Sequence, residues 1–521
     1  MYNGLAVGSL VSSQSHVSGV HSLNLPALNL SSIRSGTFGS NVRQQNTTRP
    51  SYTSRPLRKP SSRVPVTSRV PTHINENNFK PNPPPPSSSR PSLTRPISSR
   101  THTSRSNKPS PSTQSVRHSP VRDADFPLSP ADALKRFKHY LSPFEETEIL
   151  EYPQVFFLGE IYSRVKNSQG AANNGFDDDK GDYLSSLHDH IAYRYEILGS
   201  LGKGSFGQVL RCLDKKTDKI IALKIIRNKR RFHQQGLVEV KILKFLRDSD
   251  PSEQHNVVKI IDHFYFRNHL CITFELLSLN LYEYMKSTSF QPMALSQIRT
   301  FAIQILHCLK LLYRHNIIHC DLKPENVLLR HSSRHTIKVI DLGSSCFANE
   351  RIYTYIQSRF YRAPEVILGI PYSTMIDMWS FGTMLCEFSS SQPIFPGENE
   401  VEQMLCIMEI FGPPPLQMIQ NATRRKLFFD SNLAPRIVAN SRGRKRRPNT
   451  RDLSTACRSN NPLFLDFIRQ CLQWEPENRL NPLQALQHPF ITGNSNIPPN
   501  ISPKINNDEE LVENNVSLPP I

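Results

Sequence analysis

The sequence predicts an α+β fold in two lobes, a small antiparallel strand-rich lobe followed by a larger helical one. Three observations carry this. The stretch RYEILGSLGKGSFGQVLRCLDKKTDKIIALKII alternates apolar residues around tight glycine turns, as antiparallel strands do. From Ala294 to about His488 the pattern turns mainly helical, and FAIQILHCLKLLYRHNIIH reads as one strongly periodic helix. A strand-rich part of roughly 85 residues ahead of a helix-rich part of roughly 210 gives segregated α+β layers rather than alternating βαβ units. The small lobe is placed at 195–278 and the large one at 279–491.

The elements ahead of this core differ in kind. Residues 1–122 hold 16 Lys/Arg and a single acid, Glu76, so they carry +15 of the chain's formal +19. They are rich in Ser, Thr, Pro, Arg and Asn, with a tetraproline at Pro83–Pro86, and too poor in apolar residues to offset the entropy of ordering. This stretch reads as a disordered, basic, partly polyproline arm. It is either a solvated tail or a regulatory docking arm; Ser110, Ser119, Ser129 and Ser142 are Ser-Pro sites able to accept phosphate. Its charge alone can bind acidic surfaces or RNA, though no stacking aromatics are interleaved with the arginines and nucleic acid is not required.

Residues 123–194 form an accessory region. SPADALKRFKHYLSPFEETEIL (129–150) predicts a helix with Ser129 as N-cap and Pro130 at its first position. EYPQVFFLG (151–159) predicts a strand or an extended packing segment, and Asn173–Asp182 an acidic turn. Residues 492–521, rich in Asn and Pro, read as a flexible tail.

Composition excludes several classes. No run approaches the ~18–20 apolar residues of a membrane span. The amino terminus lacks a basic segment ahead of a sustained apolar core, so no secretory signal is expected. Nine cysteines lie between Cys212 and Cys471, odd in number and without a C-x-x-C pair. That argues against a disulfide framework or a zinc ribbon and for small core residues in a reducing compartment. A soluble intracellular protein is expected.

The chemistry starts at Gly202-x-Gly204-x-x-Gly207. No helix signal follows the last glycine, as a dinucleotide-binding turn needs; strands flank it on both sides. A glycine-rich hairpin over phosphates fits better. Lys224, in the apolar strand IALK, is too costly to bury unpaired. Its expected partners are nucleotide phosphates and Glu239, on a helix whose Val238, Ile242 and Leu243 face inward. Further on, His319-Cys320-Asp321-Leu322-Lys323-Pro324-Glu325-Asn326 is followed by Asp341-Leu342-Gly343. Transfer of a γ-phosphoryl group needs a carboxylate for the hydroxyl proton, a cation on the phosphate, and oxygen ligands for magnesium. Asp321, Lys323, and the pair Asn326 and Asp341 supply these in turn.

Together these residues resemble the protein kinase signature set, completed by Ala363-Pro364-Glu365, Asp377 and Arg479. The resemblance covers about 195–491 and implies the two-lobed protein kinase fold, with Arg479 paired to Glu365. The segment YTYIQSRFYRAPEVILG (353–369) and the HCD in place of HRD resemble the dual-specificity tyrosine-regulated (DYRK) kinases, and the upstream acidic turn with HDHIAYRYE (188–196) resembles their DYRK homology box, within 123–194. The accessory helix and strand resemble their class II subgroup. The resemblance implies a dual-specificity kinase using ATP and Mg²⁺, with Mn²⁺ as a substitute.

On that resemblance, the nucleotide contacts are Leu201, Gly202, Lys203, Gly204, Ser205, Phe206, Gly207, Gln208 and Val209 in the glycine loop. Ala222, Lys224 and Leu328 line the cleft. Phe274 closes its back, and Glu275, Leu276, Leu277 and Ser278 form the hinge. Tyr355 is implied as the autophosphorylated tyrosine. Arg359 and Arg362, four and seven residues on, suit a phosphotyrosine clamp. Protein substrates with Ser/Thr-Pro sites are implied, with Glu325 and Glu387 at positions that read a substrate arginine.

Leu342 stands where the wider family often has phenylalanine; it is expected to pack under the helix that carries Glu239. RGRKRRP (442–448) reads as a nuclear-import or acidic-partner patch or as a solvated loop. Cytoplasmic and also nuclear localisation is expected. A pseudokinase scaffold is disfavoured because Lys224, Glu239, Asp321, Asn326 and Asp341 are all present.

Overall fold

A computed structural model describes residues 126–160, 164–165, 170–331, 334–351 and 353–493. The readings of the arm (1–122) and of nearly all the tail fall outside these residues. Among the described residues, no helix is long and apolar enough to cross a membrane.

Two short helices open the described chain, α1 (Pro130–Phe137) and α2 (Pro143–Glu148). Ser129 caps α1 as expected, accepting from the Asp132 amide at 3.1 Å. The single helix expected over 129–150 is broken, however. Pro143 lacks the N–H needed to continue, and Ser142 with Glu145 forms a new capping box. The segment 151–159 stays extended without joining a sheet. Val155 bridges Leu128, and the Phe156 and Phe157 amides bond the Tyr193 carbonyl.

Six strands form the small lobe's antiparallel sheet: β1 (His190–Ile191), β2 (Tyr195–Lys203), β3 (Gly207–Asp214), β4 (Lys219–Ile226), β5 (Ile260–Phe266) and β6 (His269–Glu275). Their order is β1-β2-β3-β4-β6-β5, with helix α3 (Arg230–Ser249) between β4 and β5. Side-chain alternation sorts the sheet's two faces. Leu270, Ile272 and Phe274 join the main core, which includes Ile242 and Leu243 of α3, whereas Cys271 joins Ile197, Leu223 and Ile225 in a second cluster. The accessory region covers that second face through Phe144, Tyr152 and Phe176.

A buried Arg267 fastens this cover. Its guanidinium bonds Glu148 at 2.9 and 3.0 Å and the Tyr183 hydroxyl at 3.1 Å, and lies 4.0 Å from the Phe176 ring centre.

The large lobe begins with α4 (Leu281–Ser287) and α5 (Leu295–Arg314). Helix α5 stops short of the periodic stretch's end. Asn316 turns left-handed, and the last apolar pair becomes β7 (Ile317–Ile318). Strands β8 (Val327–His331) and β9 (Arg334–Val339) form a hairpin, and β10 (Cys346–Phe347) pairs with β7. Helices α6 (Pro364–Leu368), α7 (Met375–Ser390) and α8 (Glu400–Phe411) follow, with shorter helices as far as Thr492. Helix α7 is buried along nearly all its length and is the lobe's internal scaffold.

Candidate active site

Strand pairing sets the first part of the site. Val209 of β3 lies opposite Lys224 of β4, and α3 delivers Glu239 to the same point. The Lys224 Nζ bonds Glu239 at 2.7 and 3.0 Å and Asp341 Oδ1 at 3.0 Å. Burial alone would lower the Lys224 pKa, but the charges of Asp341 and Glu239 outweigh it and hold the ammonium protonated. The Lys224 charge in turn keeps the Asp341 carboxyl below the usual range. Gly343 makes room for this triad: a Cβ there would lie 3.1–3.2 Å from Asp341 Oδ1, Glu239 Oε2 and Lys224 Nζ. Leu342 packs into the apolar core shared with α3, as expected for its residue type.

The glycine hairpin joins β2 to β3, with Lys203 opposite Gln208 and the Gly204 amide donating to the Gly207 carbonyl at 2.8 Å. A Cβ on Gly207 would overlap the Ile225 carbonyl, so glycine is required by the protein itself. At Gly202 and Gly204 a Cβ would meet only open space. Nothing in the protein requires glycine there, which fits a loop left bare for close approach of a ligand.

The catalytic loop follows β7. Asp377 of α7 accepts from the His319 and Cys320 amides at 2.7 and 3.1 Å, fixing Cys320 in a left-handed turn. Asp321 is thereby presented with Lys323 Nζ 2.6 Å from Oδ2, and with the Ser358 hydroxyl and amide donating to Oδ1 at 2.7 and 3.0 Å. Lys323 Nζ is 3.2 Å from the same Ser358 oxygen. The Asn326 side-chain amide donates to the Asp321 carbonyl at 2.8 Å. His319 Nε2 lies 3.0 Å from the Ile340 carbonyl and couples this loop to the segment entering Asp341.

At the back of the cleft Phe274 is buried opposite Ala222. The Glu275 carboxylate is taken by Lys338 Nζ (2.5 Å) and the Lys259 amide (2.8 Å), and its own amide donates to the Lys259 carbonyl at 3.3 Å, so its side chain is not left for a base. Ser278 donates to the Leu329 carbonyl, tying the hinge to β8 beside Leu328.

Around the loop 353–362, Tyr355 is exposed and its ring lies over Arg362, whose Cζ is 4.1 Å from the ring centre. Arg362 also bonds the Ile356 and Gln357 carbonyls and Glu400. Arg359 bonds the Glu398 and Gly397 carbonyls at 2.5 and 3.3 Å. The other arginine beside Glu400 is Arg424, at 2.5 and 2.9 Å, close enough for its charge to interact with Tyr355. Glu365 and Arg479 form a fully buried bidentate pair at 2.7 Å.

A family model described as protein kinase domain matches residues 195–491. The chain is 53% identical over 378 residues to dual specificity tyrosine-phosphorylation-regulated kinase 4 of Homo sapiens, covering 72% of this chain and 73% of that protein. It is 51% identical over 369 residues to dual specificity tyrosine-phosphorylation-regulated kinase 2 of Drosophila melanogaster, spanning 70% of this chain and 51% of the relative. It is also 51% identical over 367 residues to DYRK-family kinase pom1 of Schizosaccharomyces pombe, covering 70% of this chain and 34% of that protein.

The chain belongs to the dual-specificity tyrosine-phosphorylation-regulated kinases. It is a protein kinase, and protein kinases use ATP with a divalent cation. The donor set suits that use. Asn326 and Asp341 offer hard oxygens, and among the described residues no three His, Cys, Asp or Glu side chains gather into a protein-only metal cage. A cation shared between one or two carboxamide or carboxylate oxygens and substrate phosphates needs no such cage.

In this kinase Glu325 and Glu387 line one cavity of about 540 Å³, together with Tyr282, Phe290, Ser358 and Tyr361. Burial pushes Glu387 up to about 7; the Tyr361 hydroxyl, 2.7 Å away, opposes the shift, and the Glu325 charge adds to it. Two residues escaped the sequence reading. Ser358 is a single loop serine with no signal of its own, and Arg424 lies 69 residues from Tyr355 in sequence. The basic run 442–447 is partly structural: Arg446 is buried against Glu402 and Glu409, and Arg444 also bonds Glu409.

Proposed function

We propose that the chain transfers the γ-phosphoryl group of ATP to Ser/Thr of protein substrates and to its own Tyr355. The observation that carries this is the Ser358 hydroxyl, 2.7 Å from Asp321 and 3.2 Å from Lys323. It marks a point where a serine oxygen can reach both groups at once. Asp321 accepts the proton of the attacking hydroxyl while Lys323 keeps its charge beside the transferring group. Lys224, held by Glu239, faces the phosphates from the opposite side. Asn326 and Asp341 hold the cation, Mg²⁺ or Mn²⁺, which neutralises phosphate charge when bound. The glycine loop covers the phosphates, and the adenine lies between Ala222, Leu328 and the Glu275–Ser278 hinge.

Substrate choice belongs to the same reading. Glu325 and Glu387 sit in one cavity beside Ser358. That supports recognition of an arginine ahead of a Ser/Thr-Pro target, since carboxylates pair well with a forked guanidinium. After self-phosphorylation, the Tyr355 phosphate is held by Arg362, with Arg424 or a reoriented Arg359 as second donor. The accessory region, class II in type, supports that maturation step through the Arg267 anchor. Cytoplasmic and nuclear localisation is part of the proposal; Arg442, Lys445 and Arg447 are the exposed residues of the basic run left for an import signal.

The test is peptide mass mapping of the chain made in bacteria beside an Asp321→Asn copy. Phosphate on Tyr355 in the wild type alone supports the reading. Phosphate on Tyr355 in neither protein sinks it.

A further inference from the structure

Gly202 and Gly204 bring no side chain to the phosphate-binding hairpin, so whatever fixes it acts through its other residues, among them Phe206, whose ring centre lies 5.8 Å from that of Phe232. Two of these, Lys203 and Gln208, are register partners at the base of the hairpin, and both are tied to a single segment outside the kinase domain. Lys203 Nζ lies 3.0 Å from Asp182 and 3.4 Å from Asp178. The Gln208 side-chain amide donates to the Tyr183 carbonyl at 2.5 Å, and its oxygen accepts from Ser185 at 3.2 Å. A third link runs through Arg227. Its guanidinium takes both Asp182 oxygens at 2.8 and 2.9 Å, while its amide holds the Phe206 carbonyl at 2.8 Å.

The segment that receives these bonds is itself braced. Asp178 closes the turn by accepting from the Lys180 and Asp182 amides at 2.9 Å. Asp177 roots it in the sheet through His269 (2.7 Å) and Asn228 (2.9 Å). Asp182 is buried and bonded to two cations, so it is a fixed point rather than a solvated acid.

We infer that the acidic turn 177–185 is a positioning element for the glycine-rich loop. Asp182 and Asp178 hold Lys203, and the Tyr183 carbonyl holds Gln208, so that the hairpin is set at its working height over the nucleotide phosphates before the nucleotide arrives. The turn touches no substrate itself. It lowers the ordering cost of nucleotide binding by fixing a loop whose glycines would otherwise leave it slack. The inference rests on the reading that this hairpin covers ATP.

The sign of one effect separates positioning from direct contact. If Lys203 served by reaching phosphate, freeing it with Asp182→Asn would strengthen ATP binding. If Lys203 is a tether, Asp182→Asn and Lys203→Met both weaken it. The experiment measures KM for ATP, KM for a peptide substrate, and deuterium uptake of loop amides 202–207 in the full chain.

Expected is a rise of threefold or more in the KM for ATP for Asp182→Asn, Asp178→Asn and Lys203→Met. Peptide KM should stay unchanged and loop exchange should quicken. Should Asp182→Asn fail to fold, the more exposed Lys203→Met and Asp178→Asn carry the test. An unchanged or lowered KM for ATP, or unaltered loop exchange, overturns the inference. Failure of the wild type to bind ATP would instead overturn the underlying reading.

Discussion

The Glu387→Gln substitution probes substrate selection most directly. Glu387 is buried at the wall of the 540 Å³ cavity, and burial holds its midpoint near 7. A carboxyl raised in this way is charged above that pH and neutral below it. The ionised fraction therefore falls from about nine tenths at pH 8 to about one tenth at pH 6. A hydrogen bond from arginine to a charged partner contributes about 1.5–3 kcal/mol, or ~10–100-fold in kcat/KM.

The assay compares two peptides, one with arginine ahead of the target serine and one with alanine, from pH 6 to 8. In the wild type the arginine preference should shrink by up to ~10-fold as pH falls through 7, following the ionised fraction. Glu387→Gln should start with the smaller preference and show little further decline, the remainder coming from Glu325. A wild-type preference that is flat with pH, or one that the substitution leaves intact, refutes the assignment.

Other expectations follow from the same geometry. Tyr355→Phe keeps the ring that Arg362 stacks on but removes the phosphate acceptor. Peptide phosphorylation should fall by about tenfold or more, because at least one charge-assisted hydrogen bond is lost; unaltered activity would mean the loop needs no phosphate. Arg267→Met strands Glu148 in a buried site and should cost about 3–5 kcal/mol in denaturant unfolding. Its Tyr355 phosphorylation during expression should drop in step. Gly207→Ala drives a Cβ into the Ile225 carbonyl at a φ of 146°. Thermal unfolding should reveal a loss of at least ~1–3 kcal/mol, whereas Gly204→Ala, facing open space, should leave stability nearly unchanged.

What the sequence disclosed depended on whether chemistry restricts the residue type. Lys224 stood out because a lysine in an apolar strand demands a partner, and the structure supplies two. Asp321, Lys323, Asn326 and Asp341 stood out because phosphoryl transfer admits few alternatives in that order. Ser358 and Arg424 are common residues whose importance lies in contacts across the fold, so no local pattern marks them. The break between α1 and α2 was legible all the same. Ser142-Pro143 followed by Glu145 is a helix-start signal, but the apolar spacing running across it masked the boundary. The run 442–447 misled in the opposite direction. Five basic residues read as an exposed patch, because Glu402 and Glu409, which bury one of them, lie some 40 positions earlier.

Three long-range ion pairs share a feature. Lys224 reaches Asp341 across 117 residues, Arg267 reaches Glu148 across 119, and Arg479 reaches Glu365 across 114. Apolar replacements of similar volume would stabilise these sites about as well, since desolvation offsets most of the Coulomb attraction. An apolar contact, though, tolerates sliding, whereas the forked pairs of Arg267 and Arg479 fix distance and angle, and Lys224 is set by Glu239 and Asp341 together. The three pairs sit where parts distant in sequence must meet in one arrangement: the segment after β9 against β4 and α3, the accessory region against the sheet, and the region after the activation loop against the end of the chain's helical lobe. At these three places charge is buried where geometry must be single-valued. By that argument, replacing Glu365 and Arg479 together with apolar residues should preserve thermal stability better than either single change and still lower activity, because the loop that presents Ser358 to Asp321 would lose its fixed footing.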